Sequence, residues 1–159
     1  MKLNSVDIAN FIKYWSMKEY LKPLNKTQVN KLLFICYGFS LALYDKKPFD
    51  DDTPKAWPFG PVFPRVYKRF QYNDYSVSQE VIDAIAKETW LNTIIKSVVK
   101  SFHTWTASEL TEWSHREGSP WYQTVYGEPL KEGEKQWNKE IPDDVIKAYF
   151  TPKDSTKKD

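Results

Sequence analysis

Residues 25–44, NKTQVNKLLFICYGFSLALY, carry the helical pattern that decides the fold. Asn25 and Gln28 have the spacing of a capping box, in which each side chain bonds to the backbone of the other residue at a helix start. The positions that continue at helical spacing are Val29, Leu32, Leu33, Cys36, Ser40, Leu41 and Tyr44. This pattern predicts one long helix that forms the central strut of the core, with Cys36 as a small buried hydrophobe; a reactive thiol is the alternative.

Shorter helices are predicted on both sides of this element. Upstream, apolar residues follow the i, i+3, i+4, i+7 rule from Ser5 to about Tyr20. Downstream, each predicted helix begins at a capping residue or at a proline in its first turn, and these starts are Pro64, Ser78, Thr106, Ser119 and Pro142. The Pro64 helix is expected to turn Val66, Tyr67 and Phe70 inward, and the pattern after Ser78 runs to Phe102 with one break.

Together these elements predict an all-α fold. We expect a single compact multi-helix domain over residues 1–150, because a chain of 159 residues is long enough to bury one core. Residues 151–159 are too polar to pack and are expected to form a disordered tail. Aromatic residues make up 16% of the chain, seven of them Trp, which is enough to fill a core and leave aromatic surface for a protein interface.

A proline-rich segment separates the second and third helices. The prolines between residues 45 and 64 are Pro48, Pro54, Pro58, Pro61 and Pro64. They forbid a regular helix, and each one fixes its own φ angle and pushes the preceding residue into an extended conformation. We therefore predict an ordered loop that has little conformational entropy left to lose when a partner binds.

Charge and cysteine content argue against several functional classes. The chain has 23 Lys and Arg against 21 Asp and Glu, without the basic stripe that is typical of nucleic-acid binders. Cys36 is the one cysteine, so an intrachain disulfide and a Cys-based zinc site are both excluded. No leader-like start and no run of 18 apolar residues occurs, which predicts a cytoplasmic protein with no membrane partner.

The sequence also offers little for catalysis, and we expect no catalytic residue, no metal and no cofactor. His103 and His115 lack the short spacing of helix-borne metal ligands, and the five glycines are isolated, so no phosphate-cradling loop is present. Residues 50–52, three aspartates, lack the remaining ligands of a calcium loop and are interpreted as a solvated loop. Ser119 near His115 is the one candidate pair for a hydrolase, but Ser119 as an N-cap before Pro120 explains the same residue.

Three segments, in order, resemble the Panacea domain family, which includes SocA-type and GepA-type members. Residues 29–44 resemble the second helix of the family. Phe49 and residues 56–67, AWPFGPVFPRVY, resemble its "EAW.yGPV.p.vY" signature, and residues 109–121, ELTEWSHREGSPW, are similar to its "LS.lTH..gsPW" element. The chain departs from the family pattern at Lys55, where Glu is frequent, at residues 58–59 and at residues 113–114. These departures bear on which partner is held more than on the fold.

The resemblance implies an antitoxin of a bacterial or phage toxin–antitoxin pair, which neutralises its cognate toxin protein by direct binding. One branch of the family acts instead as a proteolytic adaptor that delivers its toxin to a housekeeping protease, and this is the alternative. A hydrolase that uses Ser119 and His115 is a more distant one. Some members append a DNA-binding domain, but here the resemblance fills the chain, so direct nucleic-acid binding is not expected. The oligomeric state stays open, a homo-oligomer included.

The motif residues are expected either to contact the partner or to brace the scaffold that does. These residues are Trp57, Phe59, Gly60, Pro61, Val62, Pro64, Tyr67, His115, Ser119, Pro120 and Trp121. For Trp57, Phe59 and Val62 the alternative is that they fill the core. For His115 the choice lies between a neighbouring carboxylate and a contact with the partner.

Overall fold

The computed structural model describes residues 1–127 and 129–153. Its helices are α1 (Ser5–Tyr20), α2 (Lys26–Tyr44), α3 (Pro64–Arg69), α4 (Gln79–Lys87), α5 (Thr89–Phe102), α6 (Ala107–Ser114), α7 (Pro120–Gly127) and α8 (Asp143–Phe150), with a short 3₁₀ turn at Gln136–Asn138. Its strands are β1 (Lys55–Trp57), β2 (Gly60–Val62) and β3 (Lys139–Glu140). The predicted all-α, multi-helix fold is confirmed, and the sheet is a small addition to it. Residues 154–159, most of the predicted tail, lie outside the described residues.

Helix α2 forms the centre of the fold, as its sequence predicts. The capping box is present, with the Gln28 amide donating to Asn25 Oδ1 and the Asn25 amide donating to Gln28 Oε1, both at 2.8 Å. Thirteen of its 19 residues are buried, since α1, α5, α6 and α8 surround it. Cys36 is fully buried, and burial raises the pKa of its thiol, which supports the small-hydrophobe interpretation over a reactive thiol.

The predicted helix starts are confirmed along the rest of the chain. Pro64 opens α3, Ser78 caps α4, and Thr106 forms a capping box with Glu109 at the start of α6. The break that the sequence left unplaced lies at Glu88, between α4 and α5. None of the helices within residues 1–127 and 129–153 is long and apolar enough to cross a membrane.

One inward-facing prediction is wrong. Tyr67 is 39% exposed on α3, whereas Val66 beside it is buried. The Tyr67 ring packs edge-on against Trp57, with centroids 5.0 Å apart, and the Lys26 ammonium lies 3.8 Å from its centroid. Tyr67 therefore packs outside the core, against an aromatic ring and a cation.

The proline-rich segment is ordered, but it contains a β-hairpin that the sequence analysis did not predict. Strand β1 pairs antiparallel with β2, Trp57 standing opposite Gly60, so that Pro58 and Phe59 form a two-residue turn. Pro58 supplies the fixed φ angle at the first turn position, and Gly60 takes a φ of 114°, which other residues rarely adopt. On its other edge β1 pairs with β3, which completes a sheet of order β2-β1-β3.

The acidic run at residues 50–52 is not simply solvated, which corrects the sequence interpretation. The Asp51 carboxylate accepts hydrogen bonds from the Ser5 amide at 2.8 Å and the Ser5 hydroxyl at 2.9 Å, and it also lies 3.3 Å from Arg65 Nε. Asp52 accepts from the Arg65 amide at 2.8 Å. Two of the three carboxylates therefore join the starts of α1 and α3, whereas Asp50 forms an exposed ion pair with Lys2.

Candidate functional site

The turn of the hairpin, Pro58 and Phe59, projects an aromatic ring into solvent, and we call these two residues the hairpin tip. Phe59 is 75% exposed. Directly behind it, the Trp121 indole donates to the Trp57 carbonyl at 2.7 Å, and the Trp57 indole donates to Asn138 Oδ1 at 2.9 Å. The tip is thus held by side chains from α7 and from the 3₁₀ turn, which are far away in sequence.

The other end of the hairpin is fixed to α2. The Phe63 amide donates to Asn30 Oδ1 at 3.0 Å, and the Asn30 amide group donates to the Lys26 carbonyl at 3.1 Å. Ala56, Val62 and Phe63 are buried beneath the strands. The hairpin therefore stands on the central helix as a rigid element, and Phe59 is its exposed end.

The loop between α6 and α7 packs beside the hairpin and contains the candidate hydrolase pair. The Ser119 hydroxyl donates to the Ser114 carbonyl at 2.8 Å and accepts from the Tyr122 amide at 3.1 Å, so it caps α7. His115 stacks on Trp121 with ring centroids 3.9 Å apart, and its buried Nε2 has no hydrogen-bond partner among the described residues. Ser119 and His115 therefore do not form a nucleophile–base pair, and the capping role accounts for Ser119.

Behind the hairpin tip lie four residues that we call the polar niche: Lys31, Gly60, Ser114 and His115. A Cβ atom added to Gly60 would meet Ser114 Oγ at 2.6 Å and both Lys31 Cε and Nζ at 3.2 Å. Lys31 is only 4% exposed, and in the described chain its ammonium has neither a hydrogen bond nor an ion pair. Because a glycine occupies position 60, the strand end can approach the ammonium this closely.

Burial controls the protonation of both basic groups in the polar niche. Desolvation lowers the pKa of Lys31 to about 8 from its ordinary value of 10.5. The pKa of His115 is also lowered, first by burial and then by the positive charge of Lys31, while the carbonyl of Pro58 opposes the change. Near neutral pH Lys31 is therefore still largely charged, and His115 is largely neutral.

An open cleft of about 680 Å³ lies in front of the hairpin tip and the α6 helix. Its walls include Phe59, Thr111, Glu112, His115 and Arg116. The cleft thus combines an exposed aromatic ring, two side chains of opposite charge and His115, a member of the polar niche. No group of three His, Cys, Asp or Glu side chains that could hold a metal ion occurs in the described ranges.

The structure brings the two predicted motifs together and sorts their side chains by exposure. Phe59 and Tyr67 are exposed, and Trp57, Pro64 and His115 are half-buried. The buried members are Gly60, Pro61, Val62, Ser119, Pro120 and Trp121. Val62 is buried, whereas Phe59 lies outside the core.

Sequence reasoning missed Lys31, Asn30 and Ser114 as members of the site. Lys31 offered one usable signal, because it is the single charged side chain between Val29 and Leu41 in a helix predicted to be the core strut. Asn30 and Ser114 gave no signal, since each acts through a contact with a segment distant in sequence.

Comparison with known proteins gives this arrangement a family. The sequence model of the family described as "Antitoxin SocA-like, Panacea domain" matches residues 29–122, more than half of the chain, from α2 into α7. The chain is also 27% identical over 141 residues to the antitoxin SocA of Caulobacter vibrioides (strain NA1000 / CB15N), covering 80% of this chain and 72% of that protein. No solved structure matches the chain. The chain belongs to the SocA-like antitoxin family with a Panacea domain.

Proposed function

We propose that this protein neutralises a cognate toxin by direct protein–protein binding, and that the toxin docks on the hairpin tip and the cleft beside it. The observation that carries the proposal is the exposure of Phe59 on an otherwise anchored hairpin. Large aromatic side chains dominate the binding energy of protein interfaces. Pro58 and the indole hydrogen bonds hold the backbone of the turn before binding, so little conformational entropy remains to be lost.

The same contacts favour binding over catalysis at this site. The Ser119 hydroxyl is used in capping α7, and the His115 ring is stacked on Trp121. An interface of this kind needs no cofactor, and we propose that it acts in the cytoplasm, on a toxin encoded beside the antitoxin gene of a bacterium or phage. The measured mass of the complex would give the number of copies of the chain that it contains.

Co-expression with the neighbouring toxin gene tests the proposal. The native chain is expected to restore growth, and Phe59→Ser is expected to lose this rescue while its melting temperature stays unchanged, because the ring is not part of the core. The affinity for the toxin should fall at least about 30-fold, the effect of a hot spot of ~2 kcal/mol. Rescue by Phe59→Ser at native level would contradict the docking surface, and no rescue by the native chain would contradict the antitoxin function.

Leu43→Ser supplies the matched control. Leu43 is an apolar side chain that is 52% exposed, and it lies twelve residues from Lys31 along α2, about 18 Å away. This variant should rescue growth fully. The toxin level in the same cells distinguishes the mode of action: an inactive complex that can be purified supports neutralisation by binding, whereas protease-dependent loss of the toxin supports the adaptor alternative.

A further inference from the structure

The polar niche contains two basic side chains that each have a nitrogen without a partner among the described residues, Lys31 Nζ and His115 Nε2. Lys31 is only 4% exposed. Within residues 1–127 and 129–153, no carboxylate lies within ion-pair distance of its ammonium. His115 Nε2, just after the C-terminal end of α6, is buried without a partner in that part of the chain. Buried charges in proteins are normally paired, because an unpaired ammonium loses its hydration without compensation.

The position of the polar niche links it to the proposed interface. Gly60 immediately follows Phe59, and both Phe59 and His115 line the cleft. The added-Cβ contacts at Gly60 place Lys31 Nζ directly behind this strand end. A group that enters the cleft beside the Phe59 ring therefore meets the His115 ring, the member of the polar niche that lines the cleft, and the Lys31 ammonium lies behind the adjoining strand end.

The chemistry of the niche favours a carboxylate. The ammonium has three donors and no acceptor, so it calls for an anionic acceptor, and a carboxylate beside the His115 ring would favour the protonated, donor-only form of that ring. The cleft wall carries one acidic and one basic side chain, Glu112 and Arg116, and the net charge of the chain is only +2, so the surface lacks the positive patch that a polyanion such as nucleic acid needs.

We propose that the polar niche receives one carboxylate of the bound toxin, which pairs with Lys31 and His115. This inference rests on the proposed antitoxin function for the source of the carboxylate, but the affinity of the niche for a carboxylate is a property of this chain alone. Pairing would compensate the desolvation of Lys31 in the complex and would make acidity at one position of the toxin a condition of recognition.

The first experiment uses the full chain without toxin. Sodium acetate is titrated against sodium chloride at equal ionic strength, and the NMR signals of the His115 ring and the Gly60 amide are followed. Saturable shifts specific to acetate are expected in the native chain and in Lys100→Met, which removes an exposed charge from α5, but not in Lys31→Met. Identical responses to acetate and chloride in the native chain, or an acetate response that survives in Lys31→Met, would overturn the proposal.

The second experiment measures toxin affinity. Lys31→Met should weaken binding at least about tenfold, as expected for the loss of one partner of a buried ion pair, and Lys100→Met should not. Each acidic residue of the toxin is then replaced by its amide, and its C-terminal carboxylate is amidated. One replacement should weaken binding to the native chain and leave binding to Lys31→Met unchanged.

The outcomes of these two experiments separate the two proposals. If every acidic replacement acts equally on both antitoxin variants, the carboxylate pairing is wrong while direct toxin binding stands. If the toxin does not bind the native chain at all, the proposed function fails, and the acetate titration still decides whether the niche binds a carboxylate.

Discussion

Lys31 places an ammonium group inside the most enclosed helix of the chain, one turn from the fully buried Ile35. A methionine of similar length would fill the same space without a desolvation cost. Residues that oppose stability in this way are often retained for function, where a ligand supplies the missing partner. In the toxin-free chain, Lys31 is thus a source of instability that the proposed carboxylate would relieve.

Lys31→Met is expected to raise the stability of the isolated chain below pH 8. A shift from 10.5 to about 8 corresponds to up to about 3 kcal/mol against the charged form in the folded state. Because the unfolded chain binds more protons between these pH values, the native protein gains stability as pH rises from about 8 to 10.5. The advantage of Lys31→Met should therefore be largest below pH 8 and shrink towards pH 10.5.

Urea denaturation of both chains across this pH range measures the difference, with Lys100→Met as the control for removal of an exposed positive charge. A Lys31→Met chain that is less stable than the native chain at pH 7 would show that the ammonium is compensated inside the free protein.

At the scale of single residues, the sequence could name the motif but not the direction of each side chain. Trp121, His115 and Ser119 were identified from the capping pattern and the resemblance, and the structure joins Trp121 to the Trp57 carbonyl and stacks His115 on the same indole. The exposure of Phe59 could not be predicted, because it depends on a two-residue turn whose register is set by pairing. Lys31 was missed because a helix pattern gives the spacing of the residues along the helix but not the side chains of other elements that pack against them.

At the scale of elements, two carboxylates of residues 50–52 connect helices α1 and α3, which the sequence pattern predicts separately. The Asp51 carboxylate accepts hydrogen bonds from the amide and the hydroxyl of Ser5, and it forms an ion pair with Arg65 on α3. Ser5 is fully buried at the first position of α1. The loop after α2 thereby fixes where α1 begins relative to α3. The interaction is local in space, but it joins residues 46 and 14 positions apart in the sequence.

Asp51→Ala is expected to lower the free energy of unfolding by about 2 kcal/mol, because the buried amide and hydroxyl of Ser5 would both lose their acceptor. Asp50→Ala is the matched control, since Asp50 lies next in the sequence and forms only an exposed ion pair with Lys2. Thermal unfolding should show a lower melting temperature for the first variant and no measurable change for the second. Equal melting temperatures would mean that water replaces the Asp51 carboxylate at no cost.

The helices were predictable and the sheet was not, for physical reasons. Helix starts depend on residues that are close in the sequence, such as Asn25 with Gln28 and Thr106 with Glu109, so a single sequence suffices to place them. The strands have two or three residues each, too few for an alternating pattern to show. In addition, the partner of Ala56 in β3 is Lys139, and nothing near either residue indicates that pairing.

At the scale of the whole molecule, the core extends beyond the region that the family model matches. Helix α8 lies outside residues 29–122 and yet packs along α2, where the Phe150 ring lies against Gly38 so closely that a Cβ atom there would overlap it. The Tyr37 hydroxyl also donates to Asp143 at 2.6 Å, at the start of α8. The chain thus needs its last helix to cover the element that supports the candidate site.

Phe150→Ala is expected to destabilise the whole domain by about 3 kcal/mol, because the cavity would open between α2, α6 and α8. The ring contacts Phe34, Phe39 and Trp113, with centroid distances of 6.0, 5.1 and 6.3 Å. Tyr149→Ala, a truncation of the neighbouring ring, should cost less than half as much, since Tyr149 is 38% exposed. Urea denaturation of the two variants measures both values.

The same two variants show whether α8 supports the proposed toxin-binding face. If it does, Phe150→Ala should lower toxin rescue at elevated temperature through loss of the folded population, with an unchanged affinity in the chains that remain folded. A loss of stability in Phe150→Ala no larger than that in Tyr149→Ala would contradict the central role of the Phe150 ring.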